Sequence, residues 1–216
     1  MLCSQGMQAE AEDRDADARL LFQQAWESAQ DDYEACVAAH YLARHQPTPQ
    51  ETLRWNQECL TRADRVADAR VECFYASLHL NMAQAYRDLE ASDHAREHFE
   101  LAAGRIHDVP PGQYADWTRF AIADGLRSTG AVPVPAAADD LLKDLLAMFC
   151  ARGDFKALGL ILPVCLGDLG TEEDHLRLLT ALRMIHAARW LPDDEQRLLA
   201  RVLASLTTAD RTGVSS

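Results

Sequence analysis

The chain has 216 residues, of which 48% are hydrophobic, and its net charge at pH 7 is -13. This hydrophobic content excludes a disordered chain, and the length is sufficient for one large domain or for a stack of repeats. The acidic balance argues against nucleic acid or an anionic membrane as a partner, because both bind basic surfaces.

The first predicted segment, residues 1–12, is an acidic N-terminal arm that we expect to be flexible. Residues 1–35 carry nine acids and two arginines, which is more than half of the excess negative charge. The start lacks the cationic and apolar regions of a secretory signal, and no apolar stretch is long enough to cross a membrane. We therefore expect a soluble, cytoplasmic protein.

Helical periodicity dominates the rest of the chain, and the alternation typical of strands is nearly absent. Thr48 and Thr171 are predicted helix N-caps, and Pro49 occupies a first helical position. Residues 192–195 place acids in the first turn of another helix. Breaks near residues 30, 46, 68, 91, 108–113, 130–137, 153, 170 and 191 predict about ten helices, so the fold class is all-α.

A repeated spacing of small and aromatic residues indicates the architecture. Three triplets are spaced by four and then three residues, so the members of each lie on one side of a helix. Small residues let a paired helix approach, and an aromatic ring fills the groove. The triplets are Ala18-Phe22-Ala25, a degenerate Thr52-Asn56-Cys59, and Ala95-Phe99-Ala102, and they start 34 and 43 residues apart.

With these residues in place, the stretch from 76 to 109 resembles a tetratricopeptide repeat. The family signature falls on Met82, Ala83, Tyr86, Ala95, Phe99 and Ala102. His79 stands where the family usually has tryptophan, and the closing proline position falls on His107, with Pro110 slightly later. Generic antiparallel helix pairs are the alternative explanation, and they would leave the fold class all-α.

The resemblance implies a right-handed α-α superhelix of about ten antiparallel helices. We predict repeats over residues 13–130. Residues 131–216 would add further helical pairs and a C-terminal capping helix, continuous with the repeats.

The resemblance also implies a ligand groove on the concave face, which the first helix of each repeat lines. Asn81 matches a position at which the family often binds the backbone of an extended peptide, and Gln84 would assist it. Arg44, Arg87 and Arg127 fall at equivalent positions when the repeats are aligned on Thr52 and Leu126. Together they would form a column that binds carboxylates by bidentate hydrogen bonds.

The position of Arg44 depends on the alignment, because pairing Tyr41 with Tyr86 instead would put Leu42 in its place. We predict no metal site. His94 and His98 are four residues apart, but no third ligand has a suitable spacing.

We interpret the chain as a non-enzymatic scaffold that binds a protein or peptide presenting carboxylates, with no catalytic residue and no cofactor. The alternative is a regulatory domain that binds a peptide or small molecule and changes shape or oligomeric state to control a partner. A helical enzyme would need a buried cluster of titratable groups. Residues 193–206 have one apolar side that would either cap the stack or form a homodimer. The 19 arginines against two lysines are compatible with a bacterial origin.

Overall fold

The computed structural model describes residues 1–131 and 136–213 of the chain, and in these residues it is all-α, with eleven α-helices and no strand. The predicted fold class is therefore confirmed. The chain divides into two compact units, Met1–Ala131 and Val132–Ser216. Part of the break predicted at 130–137, residues 132–135, lies outside the described residues.

Unit 1 consists of seven helices, each of which packs on the next one along the chain. The first helix also contacts the third, and the fifth contacts the seventh. A short 3-10 turn, Ile106–Asp108, precedes the last helix. The helices are α1 (Leu2–Ala11), α2 (Asp15–Glu27), α3 (Asp32–Arg44), α4 (Pro49–Val66), α5 (Ala69–Asp88), α6 (Ser92–Arg105) and α7 (Gln113–Ser128).

The helix starts follow local capping chemistry. Thr48 Oγ1 accepts a hydrogen bond from the Glu51 backbone N–H at 3.3 Å, and Pro49 occupies the first turn of α4, as predicted. Asp31 and Asp68 cap α3 and α5 in the same way, through their side-chain oxygens. Only four residues separate Arg44 from Pro49, so the start of α4 lies beside the end of α3.

The first residues differ from the flexible arm that the sequence predicted. Residues 2–11 form α1, which packs on α2. The turn between them is made by Asp13 in the left-handed region, at φ +57°. Gly6 and Ala9 are buried, and a side chain at Gly6 would overlap the ring of Phe22. The negative charge therefore lies on Glu10 of α1, on the turn and on the exposed side of α2, while the apolar side of α1 is packed.

Unit 2 contains α8 (Ala136–Arg152), α9 (Phe155–Leu166), α10 (Glu172–Ala188) and α11 (Asp193–Gly213) around its own core. Thr171 caps α10, as predicted, by accepting from the Asp174 backbone N–H. The apolar side of α11 is part of this core, since Leu199, Val202 and Leu206 are buried there. These three side chains pack within unit 2. No helix in the described part of the chain is both long and apolar enough to cross a bilayer.

Candidate functional site

One side of α5 carries polar residues at intervals of four, three and four positions: Ser77, Asn81, Gln84 and Asp88. This spacing places them along a single face of the helix. Two cavities lie along that face, and α3 and α5 contribute to the walls of both. Arg44, the last residue of α3, lines both cavities.

The first cavity has a volume of about 380 Å³ and lies between the end of α3, the start of α4 and the second half of α5. Its walls are mostly polar. Asn81, Gln84 and Asp88 line it from α5, Thr52 and Asn56 line it from α4, and Arg44 and Gln46 complete it. The side-chain amides of Asn81 and Gln84 have no hydrogen-bond partner among the described residues, so both can bind a ligand.

The repeat pattern accounts for the position of this cavity. Phe22 on α2 is fully buried and contacts Gly6 on α1 and Tyr41 on α3. Phe99 on α6 is fully buried in the same manner, between α5 and Gly125 on α7. The corresponding residue of α4 is Asn56, which has a much smaller side chain. The first cavity therefore lies where a phenylalanine ring fills the groove in the other two copies.

Asn56 has an unusual hydrogen-bond environment. Its side chain is 0% exposed, and its Nδ2 donates to the backbone oxygen of Thr52 at 2.9 Å. Its Oδ1 is buried and has no partner among the described residues. Rotating the amide would place Oδ1 against the Thr52 oxygen, so the carbonyl of Thr52 fixes the orientation. A buried acceptor without a donor costs about 1–3 kcal/mol.

Arg44 already has interaction partners outside the first cavity. Its Nη2 forms an ion pair with Glu10 Oε2 at 2.7 Å, and its guanidinium lies over the ring of Tyr41 at 4.8 Å. Glu10 also contacts His45 Nε2 at 3.1 Å. The positive charge at this edge of the cavity is therefore balanced by a carboxylate from α1, which sequence comparison of the repeats did not indicate.

The second cavity, of about 430 Å³, is aromatic in character. It is lined by His40 and Tyr41 from α3, Phe74 from α5 and Tyr114 from α7. Burial lowers the pKa of His40 to about 4, and the charge of Arg44 adds to this effect. His40 is thus neutral at pH 7, with a buried Nδ1 that lacks a partner within the described part of the chain.

Exposed aromatic side chains lie on α7 beside this second cavity. Trp117 is 56% exposed and stacks on Tyr114 with ring centroids 6.3 Å apart. Aromatic rings that remain accessible beside a cavity are a common feature of binding surfaces.

The structure brings three of the five predicted groove residues together: Arg44, Asn81 and Gln84 line the first cavity. Arg87 lies on a different side of α5, because each residue turns a helix by about 100°. It lies over Phe99 of α6 and its Nη1 is 4.0 Å from Asp124 Oδ2. Arg127, on α7, lines neither cavity. The predicted arginine column therefore does not assemble in this groove.

Sequence reasoning did not identify Asn56, Thr52 and Gln46 as cavity residues. The signal for Asn56 was present in the degenerate triplet, where an asparagine replaces the aromatic residue. A polar residue at a position where the other copies bury an aromatic ring breaks the packing pattern, and such breaks are expected at functional sites.

The histidines of α5 and α6 form a separate cluster. The Nδ1 atoms of His79 and His98 are 3.1 Å apart, and Tyr86 stacks on His98 and His94. Burial and the neighbouring His98 lower the pKa of His79 to about 4. Within the described residues, no group of three or more histidine, cysteine or acidic side chains has a geometry that could hold a metal ion.

Comparisons with models of protein families, with curated protein sequences and with solved structures find no match to this chain. Its function is therefore inferred from the two cavities and from the repeat pattern that shapes them.

Proposed function

We propose that unit 1 is a non-enzymatic interaction module similar to tetratricopeptide repeats, and that it binds an extended peptide along α3 and α5. The observation that carries this proposal is that two neighbouring cavities share Arg44 as a lining residue and are both lined by the polar face of α5. A superhelix would be built from the pairs α1/α2, α3/α4 and α5/α6, with α7 beginning the next turn.

The packing of unit 1 supports the repeat architecture. The small residues Ala18, Ala95 and Ala102 are fully buried, as close approach of paired helices requires. Contacts between α1 and α3, and between α5 and α7, are those expected of consecutive first helices in a solenoid. The second cavity, lined by α3, α5 and α7, would then lie on the concave face.

The dimensions of the groove suit a short peptide. Ser77 and Asp88 are eleven residues apart on α5, which corresponds to about 16 Å at 1.5 Å per residue. An extended peptide rises by about 3.3 Å per residue, so about five residues would follow this face. Amide side chains such as those of Asn81 and Gln84 can both donate to and accept from a peptide backbone.

Peptide display tests this proposal directly. A library of random twelve-residue peptides would be selected against the full chain, and the selected peptides measured against an Asn81→Ala, Gln84→Ala double variant. The control is Gln24→Ala, Gln57→Ala, which removes two exposed amides elsewhere in unit 1. We expect the first variant to weaken binding by roughly 5- to 150-fold, since each of the two lost pairings costs about 0.5–1.5 kcal/mol, and the control to leave it unchanged.

Equal loss in both double variants, or no loss in either, would place the selected peptides outside the groove and overturn the proposal. Circular dichroism of each variant establishes that the helical content is unchanged before affinities are compared.

A further inference from the structure

The first cavity lies at a position that an aromatic ring occupies in the other two copies of the repeat. At the other two copies of the repeat position, Phe22 and Phe99 fill the groove and pack against a glycine of a neighbouring helix. At the middle copy, Asn56 leaves this groove open to a volume of about 380 Å³. The opening therefore lies at the one copy that lacks an aromatic ring, and it is large enough to receive a side chain from a ligand.

The groups around this opening favour a hydrogen-bond donor. The buried Oδ1 of Asn56 can only accept, and its orientation is fixed by Thr52. Asp88 adds a carboxylate at the exposed end of α5, with no ion-pair partner among the described residues. Gln46 contributes its Oε1, because its Nε2 already donates to the Leu42 backbone oxygen at 2.8 Å.

Charge favours a cation over a neutral donor. The positive charge of Arg44 is balanced by Glu10 at 2.7 Å, so Asp88 is left as the uncompensated charge of the cavity wall. The chain as a whole carries a net charge of -13, which attracts basic ligands over longer distances. A carboxylate entering the cavity would meet the acceptor of Asn56 and the charge of Asp88, and both would oppose it.

We propose that this cavity is a specificity pocket for a basic side chain, arginine or lysine, of the bound peptide. The inference rests on the proposed peptide-binding function and names the chemistry of one residue of the ligand. In the bound state the N–H groups of the basic side chain donate to Gln46 Oε1 and to Asp88, whose carboxylate balances the charge, while the buried Oδ1 of Asn56 beneath them adds negative potential. This assignment replaces the carboxylate ligand that the arginine column suggested.

The test uses five peptides of the form acetyl-Gly-Gly-Xaa-Gly-Gly-amide, with arginine, lysine, glutamine, leucine or glutamate as Xaa. Each would be titrated into the 15N-labelled full chain, and the backbone and side-chain amide signals of Asn56, Asn81 and Gln84 followed by NMR. We expect these signals to shift with the arginine or lysine peptide, with an affinity about tenfold above that of the glutamine peptide, because hydrogen bonds to charged groups are the stronger ones.

Two variants separate recognition from folding. Asn56→Phe should fill the cavity with the ring found in the other copies, abolish the response to the basic peptides and leave the melting temperature undiminished. Asp88→Asn changes only an exposed rim residue, so folding is retained. It should weaken the basic peptides several-fold and leave the glutamine peptide unaffected. The matched control is Asp116→Asn, which removes one exposed carboxylate from α7 and should change neither affinity.

The inference is overturned if the glutamate or leucine peptide binds as tightly as the basic ones, or if no peptide shifts these signals at millimolar concentration. A different result would overturn the inference and leave the peptide-binding function standing. In that result, the displayed peptides lose affinity in the Asn81→Ala, Gln84→Ala variant, but they carry no basic residue and still bind Asn56→Phe. If no displayed peptide loses affinity in the Asn81→Ala, Gln84→Ala variant, the peptide-binding function itself is refuted.

Discussion

The packing of Phe99 against Gly125 makes a quantitative prediction about the effect of one methyl group. Both residues lie where α6 meets α7, and a Cβ at Gly125 would overlap the Phe99 ring. Replacing glycine by alanine inside a helix normally stabilises it by about 1 kcal/mol. Overpacking a well-filled core costs about 1–3 kcal/mol. We therefore expect Gly125→Ala to lower the free energy of unfolding by about 1 kcal/mol, the difference between these effects.

Gly104→Ala is the matched control, because Gly104 is an exposed residue of α6 and no neighbouring atom lies within 4 Å of the place where a Cβ would stand. It should raise the free energy of unfolding by up to about 1 kcal/mol. Phe99→Ala alone should cost about 3–5 kcal/mol, as for other fully buried rings. In the Phe99→Ala background the methyl group of Gly125→Ala has room, so Gly125→Ala should raise the free energy of unfolding by about 1 kcal/mol instead of lowering it. The difference between the two backgrounds is a coupling energy of about 2 kcal/mol.

Urea unfolding followed by tryptophan fluorescence measures these values. Three of the four tryptophans belong to unit 1, and a Trp190→Phe background removes the fourth, which lies in unit 2. If Gly125→Ala stabilises the protein as much as Gly104→Ala, or if the cycle shows no coupling, the close contact between the ring and α7 is refuted.

Three further predictions concern single side chains. The pKa of His40 is about 4 in the folded state against an ordinary 6.5. Because the unfolded state is protonated first as the pH falls through this window, His40 should lower the free energy of unfolding by about 2–3 kcal/mol between pH 7.5 and 4.5. Urea unfolding at both pH values should show a decrease that is smaller in His40→Leu than in the wild type by this amount, since the lowered pKa of His79 contributes equally in both proteins. Thr48→Ala should lower the same free energy by about 1 kcal/mol through loss of the α4 cap, measured by urea unfolding at pH 7.5. A thiol reagent should modify the exposed Cys150 quickly, whereas Cys36 and Cys59 are fully buried and should react only on unfolding, as mass spectrometry of labelled peptides would show.

Local chemistry made much of the fold predictable. Thr48 and Thr171 cap helices because their side-chain oxygens satisfy free backbone N–H groups, and this depends only on adjacent residues. Burial of Ala18 and Phe22 in the first triplet, and of all three residues in the third, follows from helical spacing. The break between α1 and α2 was missed because Asp13 adopts the left-handed conformation without glycine or proline to indicate a turn.

The candidate site was less predictable, because it depends on how separate helices face one another. Arg87 was assigned to the groove from its position next to Tyr86, but the rotation of α5 turns it towards α7 and Asp124. The ion pair of Arg44 joins residues 34 positions apart, and no local pattern indicates such a contact. Helix spacing restricts which residues share a face, but it does not decide which neighbour that face meets.

The three copies of the aromatic position give a reason for Asn56 under the proposed binding function that packing does not supply. Phenylalanine at this position buries a large apolar surface, and full burial of such a side chain contributes about 1.5–3 kcal/mol to stability. Asparagine loses that contribution and leaves an acceptor unpaired, which costs about 1–3 kcal/mol more. The neighbouring residues of the middle copy do not compensate by closing the space, since Asn81 and Gln84 remain at the edge of an open cavity. A deficit confined to the one copy whose groove is open and polar is expected where function is selected at the expense of stability. On this reasoning, filling the groove in Asn56→Phe should stabilise unit 1 while removing its ligand, an outcome that a purely structural role for Asn56 would not produce.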